Sequence, residues 1–336
     1  MSSEMFHESD AGRRPVIHTC AAILGLLLAP SCGDPSESDD AQMQTPEDEI
    51  VDDLAEIPEP PPGARQYVVD EQIIPPGTEV QLCYFLEPEQ EEFYIDALES
   101  FQGSYGHHLV LFYTVAPEEP GTMRDCTSLA DMVTLIPLIS SVNFGLEQFP
   151  EGMALRVPAG TQMVIQQHYV NTSEHPIRVR DGMHLSTVPE QEVEYRAGFY
   201  GVSDVSFQLA PDQQEREVSF ECTIPRDMNL LLMGPHMHEY GLRFEASVIR
   251  QSEPGAPEES VVSVDPWVAE YRDEPPVVEW GIDNALSLRE GDTLRTRCVF
   301  KNTSDQELGF PAEMCATYGY YFPAPMGSEA WTCSGD

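Results

Sequence analysis

Seven histidines lie beyond the first 32 residues, and five of them fall into three short motifs. These are Gly106-His107-His108-Leu109-Val110-Leu111-Phe112, then Gln166-Gln167-His168-Tyr169, then Gly234-Pro235-His236-Met237-His238. Imidazole is the commonest metal ligand, so the question is whether spacing lets these rings converge. His236 and His238 are two apart. On a strand that puts both rings on one face, about 7 Å apart along the backbone, where they can share one ion. Two exposed strand histidines are the plainer alternative. His107 and His108 are neighbours, and neighbours on a regular strand face opposite ways, so they converge only at a strand end or a bulge. A single histidine such as His168 is more often a satisfied core residue than a ligand. His175, before Pro176, reads as surface, and His184, at a turn-to-strand step, reads as structural.

Imidazole clusters with few nearby carboxylates suit zinc, copper, iron or nickel over calcium or magnesium. A thioether ligand shifts the choice to copper, because soft sulfur stabilises the reduced ion. The chain has 13 methionines, and Met233, Met237 and Met314 stand near the histidine motifs. Most methionines fill cores, so composition does not say which of them ligates.

The elements that must position these residues read as β-strands. Short apolar or alternating runs recur between Pro, Gly and Asn: Glu79–Phe85, His108–Val115, Gln162–Val170, Glu217–Thr223, Leu242–Ile249 and Thr293–Asn302. No stretch keeps a helical period over three turns, and Ser128–Ile139 is the best helical or irregular candidate. Many short strands with frequent turns indicate an all-β chain of antiparallel sandwiches or barrels. The length of 336 residues suits two domains, with a boundary near 190–200.

The N-terminus reads as an export signal over residues 1–32. Arg13 and Arg14 precede the apolar run Ile23–Ala29, which is too short to span a bilayer. The run ends in Leu28-Ala29-Pro30-Ser31-Cys32-Gly33, which resembles a bacterial lipoprotein signal with Cys32 as the lipidated first mature residue. Ordinary signal cleavage is the rival reading. Residues 33–65 read as a disordered acidic and Pro-rich linker, with eleven acids and no Lys or Arg between Asp34 and Glu59. Folded sequence is expected from about Gln66. Net charge is −41, which excludes a nucleic-acid partner and makes an anionic membrane surface a poor one. Lipidated Cys32 would still tether the chain to a membrane. Beyond Cys20 and Cys32 there are six cysteines and no CxxC pair, so an exported chain with three disulfides is expected, in one of fifteen pairings.

The three histidine motifs, followed in order by Glu313-Met314-Cys315-Ala316-Thr317-Tyr318-Gly319-Tyr320-Tyr321, resemble the copper type II, ascorbate-dependent monooxygenases over most of residues 66–336. The resemblance implies two consecutive antiparallel β-sandwich (jelly-roll-like) domains, 66–193 and 194–336, with two coppers per chain. One would be held by His107, His108 and His168, the other by His236, His238 and Met314. It implies the pairings Cys83–Cys126, Cys222–Cys333 and Cys298–Cys315. It also implies unlike roles: the three-histidine copper stores an electron, and dioxygen and a substrate C–H bond meet at the other. Ascorbate or another one-electron donor would supply reductant, with a small molecule and dioxygen as partners of an exported monomer, in a bacterial cell envelope or secreted.

Departures from the family pattern fall in the substrate region. Peptide-hydroxylating members carry an arginine two residues before the first histidine of the His-x-His pair, which grips the substrate carboxylate; here that position is Gly234. Their assisting asparagine, two after the methionine, is Ala316, while the tyrosine four after it is kept as Tyr318, a possible substrate contact. Losing a charge-assisted anchor costs about 1.5–3 kcal/mol, which argues against a peptide with a free C-terminal carboxylate. A catecholamine is not supported either. The leading reading is a copper-dependent monooxygenase. A non-catalytic copper-handling envelope lipoprotein is the alternative, and a three-histidine zinc hydrolase is disfavoured, since His238-Glu239 offers the single nearby base.

Overall fold

Alternation of apolar and polar residues sets the architecture. In Thr293–Lys301, residues Leu294, Thr296, Cys298 and Phe300 point inward and their neighbours outward, the period-two pattern of a strand with one face on a core. The structure is a computed structural model. It describes residues 50–141, 146–252, 255, 257–272, 274–327 and 330–335. The expected signal segment, Cys20 and Cys32 lie outside the described residues. Residues Asp48–Asp336 form one compact unit.

The chain is all-β. Among the described residues the one α-helix is Leu129–Thr134, inside the stretch expected to be helical or irregular. A capping box starts it, in which Ser128 and Asp131 exchange side-chain and backbone hydrogen bonds. From Leu135 the chain runs on as a strand to Ser141.

A five-stranded antiparallel sheet carries the first two histidine motifs. Its central strand, Met163–Asn171, pairs with Thr78–Phe85 on one side and Gly106–Thr114 on the other. Covered on both faces, that strand is buried almost throughout. A four-stranded antiparallel sheet joins Glu215–Thr223, Thr293–Lys301, Gly241–Ile249 and Glu259–Val264. A twelve-stranded sheet runs through both halves of the sequence, because Met153–Val157 pairs with Tyr195–Asp204. Most pairs are antiparallel. Three are parallel: that one, Tyr195–Asp204 with Ala330–Ser334, and Val51–Leu54 with Ile177–Arg180.

Two main cores lie under these sheets. One gathers Leu98, Leu109, Leu111 and Ile165; the other gathers Met237, Phe244, Trp267 and Phe300. Each fully buried side chain of this size contributes about 1.5–3 kcal/mol. Leu231 and Phe322, late in the sequence, belong to the first core and tie the halves together. The turn Glu190–Glu192 links the strands Gly182–Val188 and Tyr195–Asp204. Three disulfides add covalent ties: Cys83–Cys126, Cys222–Cys333 and Cys298–Cys315, the pairings the resemblance implied. Such bonds belong to an oxidising, exported setting.

The linker expected over 33–65 is corrected at its C-terminal end. Val51–Leu54 is a strand, paired with Ile177–Arg180. Its acids are satisfied by the fold instead of by water alone. Asp52 pairs with Arg178 at 2.8 Å, and the Asp53 carboxylate accepts the backbone N–H groups of Ser104 at 2.8 Å and Tyr105 at 3.0 Å. Gly103 permits this contact, since a Cβ there would fall 2.2 Å from the Asp53 carbonyl oxygen.

Candidate metal centres

A β-bulge brings His107 and His108 together. Along the pairing of Gly106–Thr114 with Met163–Asn171, His108 faces His168, while Gly106 faces Tyr169. His107 is therefore the extra residue, and the bulge removes the alternation that would send the two rings apart. The ring centroids lie 5.2 Å (107–108), 4.8 Å (107–168) and 4.8 Å (108–168) from one another. One nitrogen from each ring falls within 4.8 Å of the others, and His107 Nδ1 and His108 Nδ1 are 3.1 Å apart.

His168 is oriented by Glu79 on the neighbouring strand, whose Oε1 lies 2.9 Å from His168 Nε2. Arg272 and His168 hold the Glu79 carboxyl below its ordinary value against the opposing pull of burial. An ionised carboxylate only accepts, so Nε2 carries the proton. That leaves the lone pair on Nδ1, which is buried with no hydrogen-bond partner. A carboxylate behind a ligating histidine is the usual way to fix its tautomer.

The second pair sits at the end of the strand Leu232–His236. Between the two histidines Met237 turns inward to the core, so His236 and His238 share the other side. Their Nε2 atoms are 3.1 Å apart and their centroids 5.0 Å. His238 Nδ1 donates to the Ala312 carbonyl at 3.0 Å, which leaves Nε2 as the lone-pair nitrogen. Its backbone is pinned as well, because Trp267 Nε1 donates to the His238 carbonyl at 3.1 Å.

Met314 precedes the strand Cys315–Phe322. In the antiparallel pairing of that strand with Leu232–His236, His236 faces Ala316. That pairing ends there, two residues after Met314 in sequence. Glu313 locks this arrangement: its carboxylate accepts from the His238 N–H at 3.0 Å and the Tyr240 N–H at 2.7 Å. Burial pushes the Glu313 carboxyl up to about 7. The Cys298–Cys315 bond holds the residue on the other side of Met314.

Electrostatics favour neutral imidazoles at both places. Burial, then the neighbouring histidines, push His108 well below the usual value, and burial pushes His168 down despite Glu79. Burial, His238 and Arg272 push His236 down to about 3. Neutral imidazole is the ligating form. Imidazole–metal bonds of about 2.0–2.1 Å require ligand nitrogens of one ion to lie within about 4 Å of each other. The 3.1 Å pairs meet that requirement, and the third nitrogen of the first set lies within 4.8 Å of the other two. Each residue set fits a metal that takes imidazole.

The remaining histidines play other parts. His184 is buried, with Nε2 3.0 Å from Gln66 Nε2 and its ring against Phe101 at 4.7 Å. His175 is exposed in a turn, where its carbonyl accepts from Asn171. Around the second pair, Tyr318 lies 6.3 Å from His236 between ring centroids, and burial pushes its phenol up to about 12. Gly234 faces Tyr318 in register, and a Cβ there would sit 3.0 Å from the Tyr318 ring. Sequence reasoning assigned no role to Glu79, Glu313 or Trp267. Glu313 alone carried a local signal, as the residue before Met314.

Comparison with known proteins bears on the C-terminal part. No curated protein matches the chain. Among solved structures, one titled as PBCV-1 VP54 fitted into a cryo-EM reconstruction of the virophage Sputnik aligns at 8% identity over 77% of this chain and 93% of that chain, with a TM-score of 0.27. A structure of infectious bursal disease virus Gx strain aligns at 8% identity over 79% of this chain and 71% of that one, with a TM-score of 0.23. Likenesses of that size carry no argument. The match that does is by sequence, and it spans His236, His238 and Met314: residues 195–334 fit the family model of the copper type II ascorbate-dependent monooxygenase, C-terminal domain.

Proposed function

We propose that this chain is a copper-dependent monooxygenase with two unlike centres, in domains 66–193 and 194–336, that hydroxylates a C–H bond of a small substrate at the expense of dioxygen and ascorbate or another one-electron reductant. The observation that carries the reading is the convergence of His107, His108 and His168 upstream of a segment that matches the C-terminal domain of that family. His107, His108 and His168 would hold one copper, and His236, His238 and Met314 the other. Bound copper supplies one-electron transfer and the activation of dioxygen.

The protein's own residues do the rest. Glu79 and the Ala312 carbonyl fix which nitrogen of His168 and His238 faces the metal. Three imidazoles form a harder donor set than two imidazoles with a thioether, so Met314 biases its centre toward the reduced ion. Glu313 holds the Met314 segment against the His238 turn. Tyr318 stays protonated at neutral pH and can donate a hydrogen bond to a bound substrate. With Gly234 and Ala316 in place of arginine and asparagine, and the Tyr318 ring against Gly234, neither of those two positions anchors a carboxylate. An uncharged or cationic small substrate fits better. Export, with lipidated Cys32 as a tether and the chain as a monomer, completes the reading; labelled palmitate that persists in Cys32→Ala would contradict the tether.

Oxygen uptake by the copper-loaded chain, screened against small amines, amides and peptides with a chemical reductant, tests the function. Met314→Ile should retain copper at the three-histidine centre and lose substrate-dependent oxygen uptake. Undiminished uptake in that variant would remove Met314 from the reaction.

A further inference from the structure

One arginine touches both neighbourhoods. Arg272 ends the turn Ala269–Arg272. Its Nη1 donates to Glu239 Oε1 at 2.6 Å, and its Nη2 donates to Glu79 Oε1. Glu239 directly follows His238, and Glu79 Oε1 is the same oxygen that accepts from His168 Nε2. A continuous line of contacts therefore runs from His168 through Glu79, Arg272 and Glu239 to the residue beside His238.

The turn that carries Arg272 is fastened to the second pair. Trp267 donates through its ring to the His238 carbonyl at 3.1 Å and through its backbone to the Leu242 carbonyl at 2.7 Å. Tyr271 packs edge-on against Trp267 at 5.5 Å. Arg272 is thus an arm held on the His238 side that reaches Glu79 on the His168 side. We propose that Arg272 is a positioning residue that clasps the two histidine clusters together and sets the separation of the two metal centres. The inference rests on the two-centre reading above.

The chemistry suits arginine. A guanidinium presents several N–H donors in a fixed plane and binds two carboxylates at once, whereas a lysine ammonium acts as one point charge. The carboxylates are each 44% exposed, so the clasp is weakened by salt and can be opened without unfolding the cores beneath it.

The test loads the full chain with copper(II) and measures the magnetic dipolar coupling between the two ions by electron paramagnetic resonance. Wild type should give one narrow coupling. Arg272→Met, of similar length but uncharged, should give a weaker and broader coupling, with copper stoichiometry and hyperfine pattern unchanged because no ligand is altered. Arg272→Lys should fall between them. Sodium chloride near 1 M, where screening acts over about 3 Å, should broaden the wild-type coupling and leave Arg272→Met as it was. An Arg272→Met protein with two coppers and the wild-type coupling overturns the clasp. A wild-type chain that takes up fewer than two coppers instead sinks the two-centre reading. The clasp is then judged on the metal-free chain by amide hydrogen exchange. Arg272→Met should speed exchange at Tyr271 and Glu274 by about fivefold, the upper range for a partly exposed ion pair. Unchanged exchange there overturns it.

Discussion

Replacing Asp181 with asparagine should flatten a pH dependence built into the first half of the fold. Asp181 is fully buried and accepts from Gln102 Nε2 at 3.2 Å, Gln167 Nε2 at 2.6 Å and the Tyr169 hydroxyl. Burial outweighs those three donors and pushes its carboxyl from the ordinary 3.8 up to about 6. A raised carboxyl favours the folded state while protonated. Its contribution is fully present below about pH 4 and is lost as pH rises through about 6. At 1.36 kcal/mol per pH unit, the gap between 3.8 and about 6 amounts to about 3 kcal/mol. Asparagine keeps the shape and one acceptor oxygen, and does not titrate. Its amide nitrogen can also serve the Gln102 or Gln167 carbonyl oxygens, which are buried without a partner. Urea unfolding of the metal-free chain at pH 4, 6 and 8 measures the effect. The stability of Asp181→Asn minus that of wild type should rise by about 2–3 kcal/mol from pH 4 to pH 8, since all other titrations cancel. Parallel pH profiles for the two proteins would refute the reasoning.

Four further outcomes follow from the site. Glu79→Gln should cost about 10–100-fold in copper affinity at the three-histidine centre, the usual loss when the partner behind a ligating histidine is removed; competitive titration with a chelator measures it. Breaking Cys298–Cys315 by a double alanine substitution opens a link across 17 residues and should cost about 3 kcal/mol in unfolding free energy, with weaker copper binding at the Met314 centre. Gly234→Arg alone should restore recognition of a carboxylate only weakly, because Ala316 stands where the family's assisting asparagine would be; tight binding of a C-terminal peptide acid by that single variant would contradict the reading. Glu313→Leu leaves the His238 and Tyr240 N–H groups without their acceptor, at about 1–3 kcal/mol each, and chemical unfolding at pH 5, where the carboxyl is largely neutral, reads this cost most directly.

Strand positions were legible in the sequence because one-sided burial leaves a period of two. The expected Leu242–Ile249 and Thr293–Asn302 runs differ from the observed Gly241–Ile249 and Thr293–Lys301 by one residue at an end. The Val51–Leu54 strand was not legible. Its acids have the composition of a solvated spacer, and the groups that satisfy them lie 51 to 126 residues away. His236 and His238 were readable as a pair from spacing alone. His107 and His108 were not, since the bulge that joins them exists in the register with Met163–Asn171 and leaves no mark in the local sequence. Glu79 and Arg272 are 193 residues apart, and nothing in either segment points to the other. The parallel pairing of Met153–Val157 with Tyr195–Asp204, which makes one sheet of two halves, is equally silent in composition.

The central claim is that this chain holds two coppers in unlike donor sets. X-ray absorption at the copper edge, on the reduced chain after metal quantification, addresses it most directly. The account predicts two coppers per chain and one sulfur scatterer for every two copper atoms, with the sulfur signal lost in Met314→Ile and the nitrogen shell retained. One copper per chain, or a reduced spectrum without sulfur, would contradict it.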